Sequence, residues 1–433
     1  MKKYLILFLS LSVVIVLYYG CEDRNELTTP SPPSTGSANF TKFVSIGNSL
    51  TAGYQSGSLY ESAQMYTFGN LIAKQVGVTY EQPLMGDPGT GGRLEVQALT
   101  ATGITLYANP NVGMPKNATL ARPYNNLGVP GAFLYDVMNA TNANNCYTGT
   151  FAGTPNPMFD LVLRNSALNI GSQFKQAAVQ APTFVTLWIG NNDILGHATA
   201  GGTIPFTPTT SFAGLYKQLL DTLASTGVKV VVANIPDVTA IPFFTTVGAT
   251  LKALGISALW AVRGTGDTIP LSTSSNYFTL KSSDLIAAGK GTAKTNPIPS
   301  SVVLDSVEAA NVKSVITNYN TTIASLAAGK NFGVVDIHTI FNDIAKNGIV
   351  VNGVSFNAAY VTGGLFSLDG VHPTSRGQGI IANEFIKAIN SKFGANISLV
   401  NVSTIPGSIS LKKEVNKLGL PVIPPGALDN LLF

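Results

Sequence analysis

Three side chains far apart in the sequence have the types and the setting to move an acyl group. Ser49 closes the stretch Phe43-Val44-Ser45-Ile46-Gly47-Asn48-Ser49, an apolar run ending in a tight polar turn. Asp369 and His372 lie three apart in Ser367-Leu368-Asp369-Gly370-Val371-His372-Pro373-Thr374, so an acid and an imidazole project from one side of one turn. A hydroxyl, an imidazole and a carboxylate make an acyl-transfer triad by geometry, in any chain order. In that chemistry His372 takes the Ser49 proton as the oxygen attacks an ester carbonyl, and Asp369 holds the imidazole in one tautomer and stabilises its charged form. The oxyanion that forms needs preorganised donors, each worth on the order of 3 kcal/mol in the transition state. The candidates are the Ser49 N–H, the Gly131 N–H in Pro130-Gly131-Ala132, and the side-chain amide of Asn192 in Gly190-Asn191-Asn192-Asp193.

These groups need elements that bring them to one edge. Phe43 to Gly47 reads as a buried strand, Tyr66 to Val76 as a helix, and Asn125 to Val129 as a short strand turning into a helix with Phe133, Leu134 and Val137. Leu168 to Ala181 reads as a helix and Thr183 to Ile189 as a strand running into the Asn192 turn. Further on come a helix over Thr210 to Ser225, a strand over Val228 to Ile235, a helix over Ser306 to Ala328, a strand over Gly333 to Ile337 and a closing helix over Ser375 to Phe393. Strands alternating with helices predict a mostly parallel sheet covered on both faces. Residues 81–123, dense in Gly, Pro, Asn and Thr, read as a long irregular excursion, and 240–300 as an inserted lid or subdomain. The stretch 394–433 reads as a C-terminal extension.

The chain has 433 residues, 45% hydrophobic and only 11% charged, enough apolar side chains for a large core. A formal charge of +4 leaves no footprint for nucleic acid. Residues 1–20 carry Lys2 and Lys3 before an apolar run from Tyr4 to Tyr19, short for a membrane span and right for a signal peptide. The run ends at Gly20-Cys21, which resembles a bacterial lipoprotein signal with cleavage before Cys21 and lipid on its sulfur; Tyr18 and Tyr19 depart from the usual box. An ordinary cleaved signal and an uncleaved anchor are the alternatives. Residues 22–40, polar and proline-bearing, read as a tether, so the globular part is expected from about Thr41. The acidic Glu22-Asp23 resembles signals that route lipoproteins to the outer membrane or cell surface of some Gram-negative bacteria. With Cys21 lipidated, Cys146 has no partner for a disulfide.

The ordered motifs resemble the SGNH (GDSL-type) hydrolases: Ser49 in G-N-S-L-T-A-G, Gly131 in N-L-G-V-P-G-A, Asn192 in G-N-N-D, and Asp369 with His372 in D-G-V-H-P-T. The likeness covers about 41–393 and includes V-V-V-A-N-I-P-D-V-T-A-I-P at 230–242. It implies a flavodoxin-like three-layer α/β/α fold and serine esterase or lipase activity without metal or cofactor. Asn48 stands where the namesake motif has Asp, which puts local turn bonding in question more than catalysis.

The remaining histidines carry less. His197 reads as a surface-loop residue and His338 as structural, and three histidines so dispersed lack zinc-ligand spacing. Asp193 is expected to tie down the Asn192 loop. The reading is thus a membrane-tethered serine esterase or lipase acting on an acyl lipid or acylated glycan, with the apolar stretch at 240–262 favouring acyl chains. A carbohydrate deacetylase with Tyr54 and Tyr60 exposed beside Ser49 is the alternative enzyme, and a catalytically silent surface binding lipoprotein the alternative from another class.

Overall fold

The computed structural model of the chain describes residues 33–100, 103–407, 426 and 428–429. The expected leader, Cys21 and most of the expected tether and C-terminal extension lie outside the described residues. Among those described, no helix is long and apolar enough to cross a membrane.

Five short strands make the central sheet: β1 (Phe43–Gly47), β2 (Asn126–Gly128), β3 (Phe184–Trp188), β4 (Lys229–Ala233) and β5 (Gly333–Val335). All pair in parallel, in the order β2-β1-β3-β4-β5. Every residue of β1 and β3 is buried, which is why their sequences read as continuous apolar runs rather than alternating ones. The one hydroxyl pair among them is satisfied internally, Thr186 Oγ1 donating to Ser45 Oγ at 2.7 Å. The order is that of the flavodoxin-like doubly wound fold, and the chain reverses direction of travel between β1 and β3.

The helices that cover the sheet or carry the site are, in chain order, α1 (Ser49–Ala52), α2 (Phe68–Val76), α3 (Leu134–Asn139), α4 (Gln173–Ala178), α5 (Asn192–Thr199), α6 (Thr209–Ser225), α7 (Pro242–Ala253), α8 (Ser306–Gly329), α9 (Ile337–Asn347) and α10 (Ser375–Phe393), with shorter helices between them. On one face α2 packs on α10, with Phe68 and Phe385 stacked at 4.6 Å and Trp188 of β3 edge-on beneath them. On the other, α6 packs on α8 through Phe212 and Tyr319, stacked at 3.8 Å, with α3 and α4 alongside. Truncating such a buried aromatic costs about 3–5 kcal/mol. Local chemistry marks the ends. The Asp305 carboxylate and Glu308 form a capping box at the start of α8, and Thr374 caps α10, which stops at left-handed Gly394.

The excursion at 81–123 is less irregular than expected. It contains an antiparallel hairpin, Arg93–Thr100 against Gly103–Asn109, docked on the domain by the Leu94 N–H donating to the Ser56 carbonyl at 2.7 Å. The stretch at 240–300 holds α7 and a second hairpin, Ala258–Val262 with Thr268–Ser272. Its Phe243 and Phe244 are buried in the core. The helix read at Leu168–Ala181 is broken, because Asn169 and Gly171 adopt positive φ, leaving α4 and a short turn before it. From Thr35 onward the described residues belong to one compact unit.

Candidate active site

In open α/β sheets ligands bind beyond the carboxyl ends of the strands, where the chain switches direction. Here that place lies just past β1 and β3, and Ser49 and Asn192 are the first helical residues after the turns that end those two strands. Ser49 is held by its own turn: the Asn48 side chain accepts from the Leu50 N–H at 3.1 Å, and Gly53 closes α1 with φ +81°. Asn48 also donates to Asn191 Oδ1 at 3.1 Å, which bridges the β1 and β3 ends directly. The amide therefore keeps the cap acceptor an Asp would offer and adds a donor. No side chain larger than glycine fits at Gly47, where a Cβ would meet Thr51 Oγ1 at 2.1 Å and the Trp188 carbonyl at 2.5 Å.

His372 and Asp369 arrive from the turn before α10. Ser49 Oγ lies 3.0 Å from His372 Nε2, and His372 Nδ1 lies 3.0 Å from Asp369 Oδ2. All three residues are buried. Asp369 is heavily hydrogen-bonded: the N–H groups of Val371 and His372 reach Oδ1 at 2.9 and 2.8 Å, Ser367 Oγ reaches it at 3.1 Å, and the Gly57 N–H reaches Oδ2 at 3.1 Å. Burial pushes the carboxyl up, but the His372 imidazole beside it and these donors outweigh it and hold Asp369 below the ordinary carboxylate value. An ionised acid only accepts, so the His372 proton sits on Nδ1 and Nε2 is left to accept from the Ser49 hydroxyl.

The Asn192 amide donates to the Ala132 carbonyl at 2.9 Å, so the residue after Gly131 is tied to the start of α5. Gly131 has φ +78°, a conformation glycine takes without strain. Neither its N–H nor that of Ser49 has an acceptor among the described residues. Two buried carboxylates steady this loop. Asp193 accepts from the Leu134 N–H at 2.9 Å and from Thr207 Oγ1 at 2.7 Å; Asp136 accepts from the N–H groups of Phe133 and Tyr147 at 2.8 and 2.6 Å. Burial pushes Asp193 up to about 6 and Asp136 up to about 7, against the pull of those hydrogen bonds.

Ser49, Asp369 and His372 are thus brought together, with Asn192 and Gly131 joined at the neighbouring strand ends. Cys21 lies outside the described residues. The two other histidines stand elsewhere: His197 ends α5 with Nδ1 on the Ile204 carbonyl at 2.5 Å, and His338 begins α9 against Asn234 and Ile235. Tyr54, expected as an exposed flank, is buried with its ring edge-on to the His372 imidazole at 5.0 Å. Its hydroxyl donates to the Gly57 carbonyl at 2.6 Å, holding the peptide whose N–H serves Asp369. Nothing in its sequence neighbourhood announces that role. Asp136 had a signal, since an acid three residues after the residue preceding a helix is a capping-box spacing.

Residues 43–385 match the family model of the GDSL-like lipase/acylhydrolases. The chain belongs to that family. Membership makes this GDSL-like protein a carboxylic ester hydrolase. No curated protein matches it. Among solved structures it is similar to LAE5, an α/β hydrolase from the metagenome of Lake Arreo, Spain, at 12% identity and TM-score 0.37, over 82% of this chain and 98% of that one. It is also similar to a mutant of Axe2, an acetyl-xylooligosaccharide esterase from Geobacillus Stearmophilus, at 13% identity and TM-score 0.34, over 84% and 96%. A third, the acetyl xylan esterase AlAXEase, shares 16% identity at TM-score 0.32, over 80% and 98%. At this distance such likenesses do not choose a substrate for a GDSL-like chain.

Proposed function

We propose that this GDSL-like hydrolase cleaves esters of short acyl groups through an acyl-enzyme on Ser49. The observation that carries the reading is the buried relay of two 3.0 Å contacts from Ser49 Oγ through His372 to Asp369. Ser49 Oγ attacks the ester carbonyl while its proton passes to His372 Nε2, and the charge on the imidazolium is balanced by Asp369. The carbonyl oxygen becomes an oxyanion, for which the Ser49 N–H, the Gly131 N–H and the second Asn192 amide hydrogen are the donors. The C–O bond to the alcohol then breaks, and His372 returns its proton to that oxygen. A water, deprotonated by His372, attacks the acyl-Ser49 carbonyl; the bond to Ser49 Oγ breaks, that oxygen takes the proton back from His372, and the acid leaves.

The cleft at Ser49 supports a short acyl group. Its walls are apolar, with Leu195, Val238, Ile241, Phe341 and Phe366 among them, and it holds about 40 Å³. That is far below the roughly 300–1,000 Å³ of pockets that enclose a drug-sized ligand. A long chain would require these side chains to move. Hydrolysis of 4-nitrophenyl esters from acetate to palmitate, with Ser49→Ala beside the wild type, tests both parts. Activity that falls steeply beyond butyrate and vanishes in the variant is expected; an optimum at eight carbons or more would overturn the short-acyl reading.

We also propose that the chain is held at a bacterial membrane through lipid on Cys21. The support is the sequence of the first 21 residues. Growth on radiolabelled palmitate should label the wild type and not Cys21→Ser, and a wild type that takes up no label would rule the lipid out.

A further inference from the structure

We propose that the turn at 55–58 is a second support of the triad acid, in which Ser56 and Ser367 are positioning residues that fix the plane of the Asp369 carboxylate. The inference rests on ester cleavage at Ser49. Gln55 and Ser58 exchange both backbone hydrogen bonds, each at 3.1 Å, and between them Ser56 has φ +51° and Gly57 φ +78°. Two left-handed residues closed in this way make a type I′ turn, whose first central position belongs by preference to Asn, Asp or Gly. Serine there is a departure. A residue with a side chain stays left-handed only where its surroundings over-determine it, and such positions gather at functional sites.

Every polar group of Ser56 has a partner remote in sequence. Its N–H donates to Ser367 Oγ at 2.8 Å, its Oγ accepts from the Leu368 N–H at 3.3 Å, and its carbonyl accepts from the Leu94 N–H of the first hairpin at 2.7 Å. Gly57 sends its own N–H to Asp369 Oδ2 at 3.1 Å, the oxygen that also faces His372 Nδ1. The turn therefore serves both oxygens of the acid, Oδ2 directly and Oδ1 through Ser367. Chemistry fixes the order of donation. The Ser56 N–H can only donate, so it occupies a lone pair of Ser367 Oγ; the ionised Asp369 can only accept, so the one hydroxyl hydrogen of Ser367 goes to Oδ1 at 3.1 Å. Thr90 and Leu59 exchange two further bonds, at 3.0 and 3.2 Å, so the excursion at 81–123 is bonded to the segment that carries the turn.

Asp369 acts on the ester only through His372, and a carboxylate free to rotate would let the imidazole tilt away from Ser49 Oγ. Two of its donors, the N–H groups of Val371 and His372, belong to its own turn. Ser367, held by Ser56, and Gly57 add donors tied to the segment that follows the nucleophile's helix α1. Nucleophile and acid are thereby fixed to each other by a route that does not pass through the imidazole.

Three variants test this on 4-nitrophenyl acetate. Ser367→Ala removes the hydroxyl, Ser367→Thr keeps it, and Ser56→Gly deletes a side chain while leaving a residue that takes the left-handed turn without strain. Ser367→Ala should lose about tenfold to a hundredfold in kcat, the rate equivalent of one hydrogen bond to a charged group, with KM within about twofold. Ser367→Thr should return to within about threefold of wild type, and Ser56→Gly should lose about threefold to tenfold in kcat, the equivalent of a neutral hydrogen bond. The far-downfield proton resonance of the His372 Nδ1–H reports the pairing with Asp369 with no ester present; it should move in Ser367→Ala and return in Ser367→Thr. Wild-type kcat in Ser367→Ala, an unmoved resonance, or a Ser367→Thr no better than Ser367→Ala would overturn the assignment. If Ser367→Ala does not fold, Ser56→Gly decides by the same two readouts. Wild type inert toward 4-nitrophenyl acetate would instead sink the reading of Ser49, and the resonance would still judge the support.

Discussion

The Asp193 carboxylate accepts the backbone N–H of Leu134 at 2.9 Å, so the turn that carries Asn192 is bonded to the loop that carries Gly131. Together with the 2.9 Å bond from the Asn192 amide to the Ala132 carbonyl, this fastens two strand ends side by side just beyond the sheet. Donors for an oxyanion are useful only if they do not have to reorganise during the reaction, and a double tie of this kind removes that freedom.

Asn192→Ala removes one proposed oxyanion donor and leaves the Ala132 carbonyl without its partner. The expected loss is about 10²–10³ in kcat, with KM nearly unchanged, because the interaction belongs to the transition state. A steady-state comparison on 4-nitrophenyl acetate decides it; a change confined to KM would mean that Asn192 only positions substrate.

Ser49→Ala and His372→Ala should each lower kcat by roughly 10³ or more, and the double variant should be no worse than either alone, since the residues act as one unit. Additive losses in the double variant would be inconsistent with a shared proton transfer. Labelling by a fluorophosphonate should vanish in Ser49→Ala.

Thermal stability should fall as pH rises from about 4 to about 7. Asp136 and Asp193 have folded-state values raised by burial from 3.8 to about 7 and about 6, so the folded chain holds protons that the unfolded chain releases. Their contribution is full below the unfolded value and is lost as pH climbs through the folded ones, by up to about 4 kcal/mol for Asp136. Asp369, held below its ordinary value, acts in the opposite sense at the acid end, where its contribution is lost as pH falls. Melting curves of wild type, Asp136→Asn and Asp193→Asn between pH 5 and 8 check this. The wild type should melt higher at pH 5 and the variants should show a flatter profile; a wild-type Tm that rises with pH contradicts the assignment.

Tyr54→Phe keeps the ring edge beside His372 and deletes the hydroxyl that holds the Gly57 carbonyl. A loss of about 1 kcal/mol in stability is expected from the missing bond, with a fall in kcat as the Gly57 N–H loosens from Asp369. Unaltered kcat in a destabilised variant would limit Tyr54 to packing.

Much of this protein is legible along the chain. The continuous apolar runs at Phe43–Gly47 and Phe184–Trp188 announce strands buried on both faces, because no polar residue breaks them at the period of a one-sided sheet. The bounds of α10 are read correctly because Thr374 and Gly394 carry its start and stop signals in their own chemistry. Ser49, Gly131, Asn192, Asp369 and His372 could be named from residue type and position at strand ends. The hairpin at Arg93–Asn109 escaped, since its glycine-rich surroundings look like loop and its pairing partner is set by docking on Ser56. Tyr54 against His372, Asp193 on Leu134 and Ser56 on Ser367 could not be read at all. They join residues 59 to more than 300 positions apart, and such meetings are decided by the strand order and by helices packing across the sheet. The sequence by itself determined the strands and closing helix that carry the site and which groups could do acyl chemistry. The tertiary structure alone decided the 3.0 Å contacts among them and the size of the acyl cleft, because distances between remote residues are properties of packing and not of local propensity.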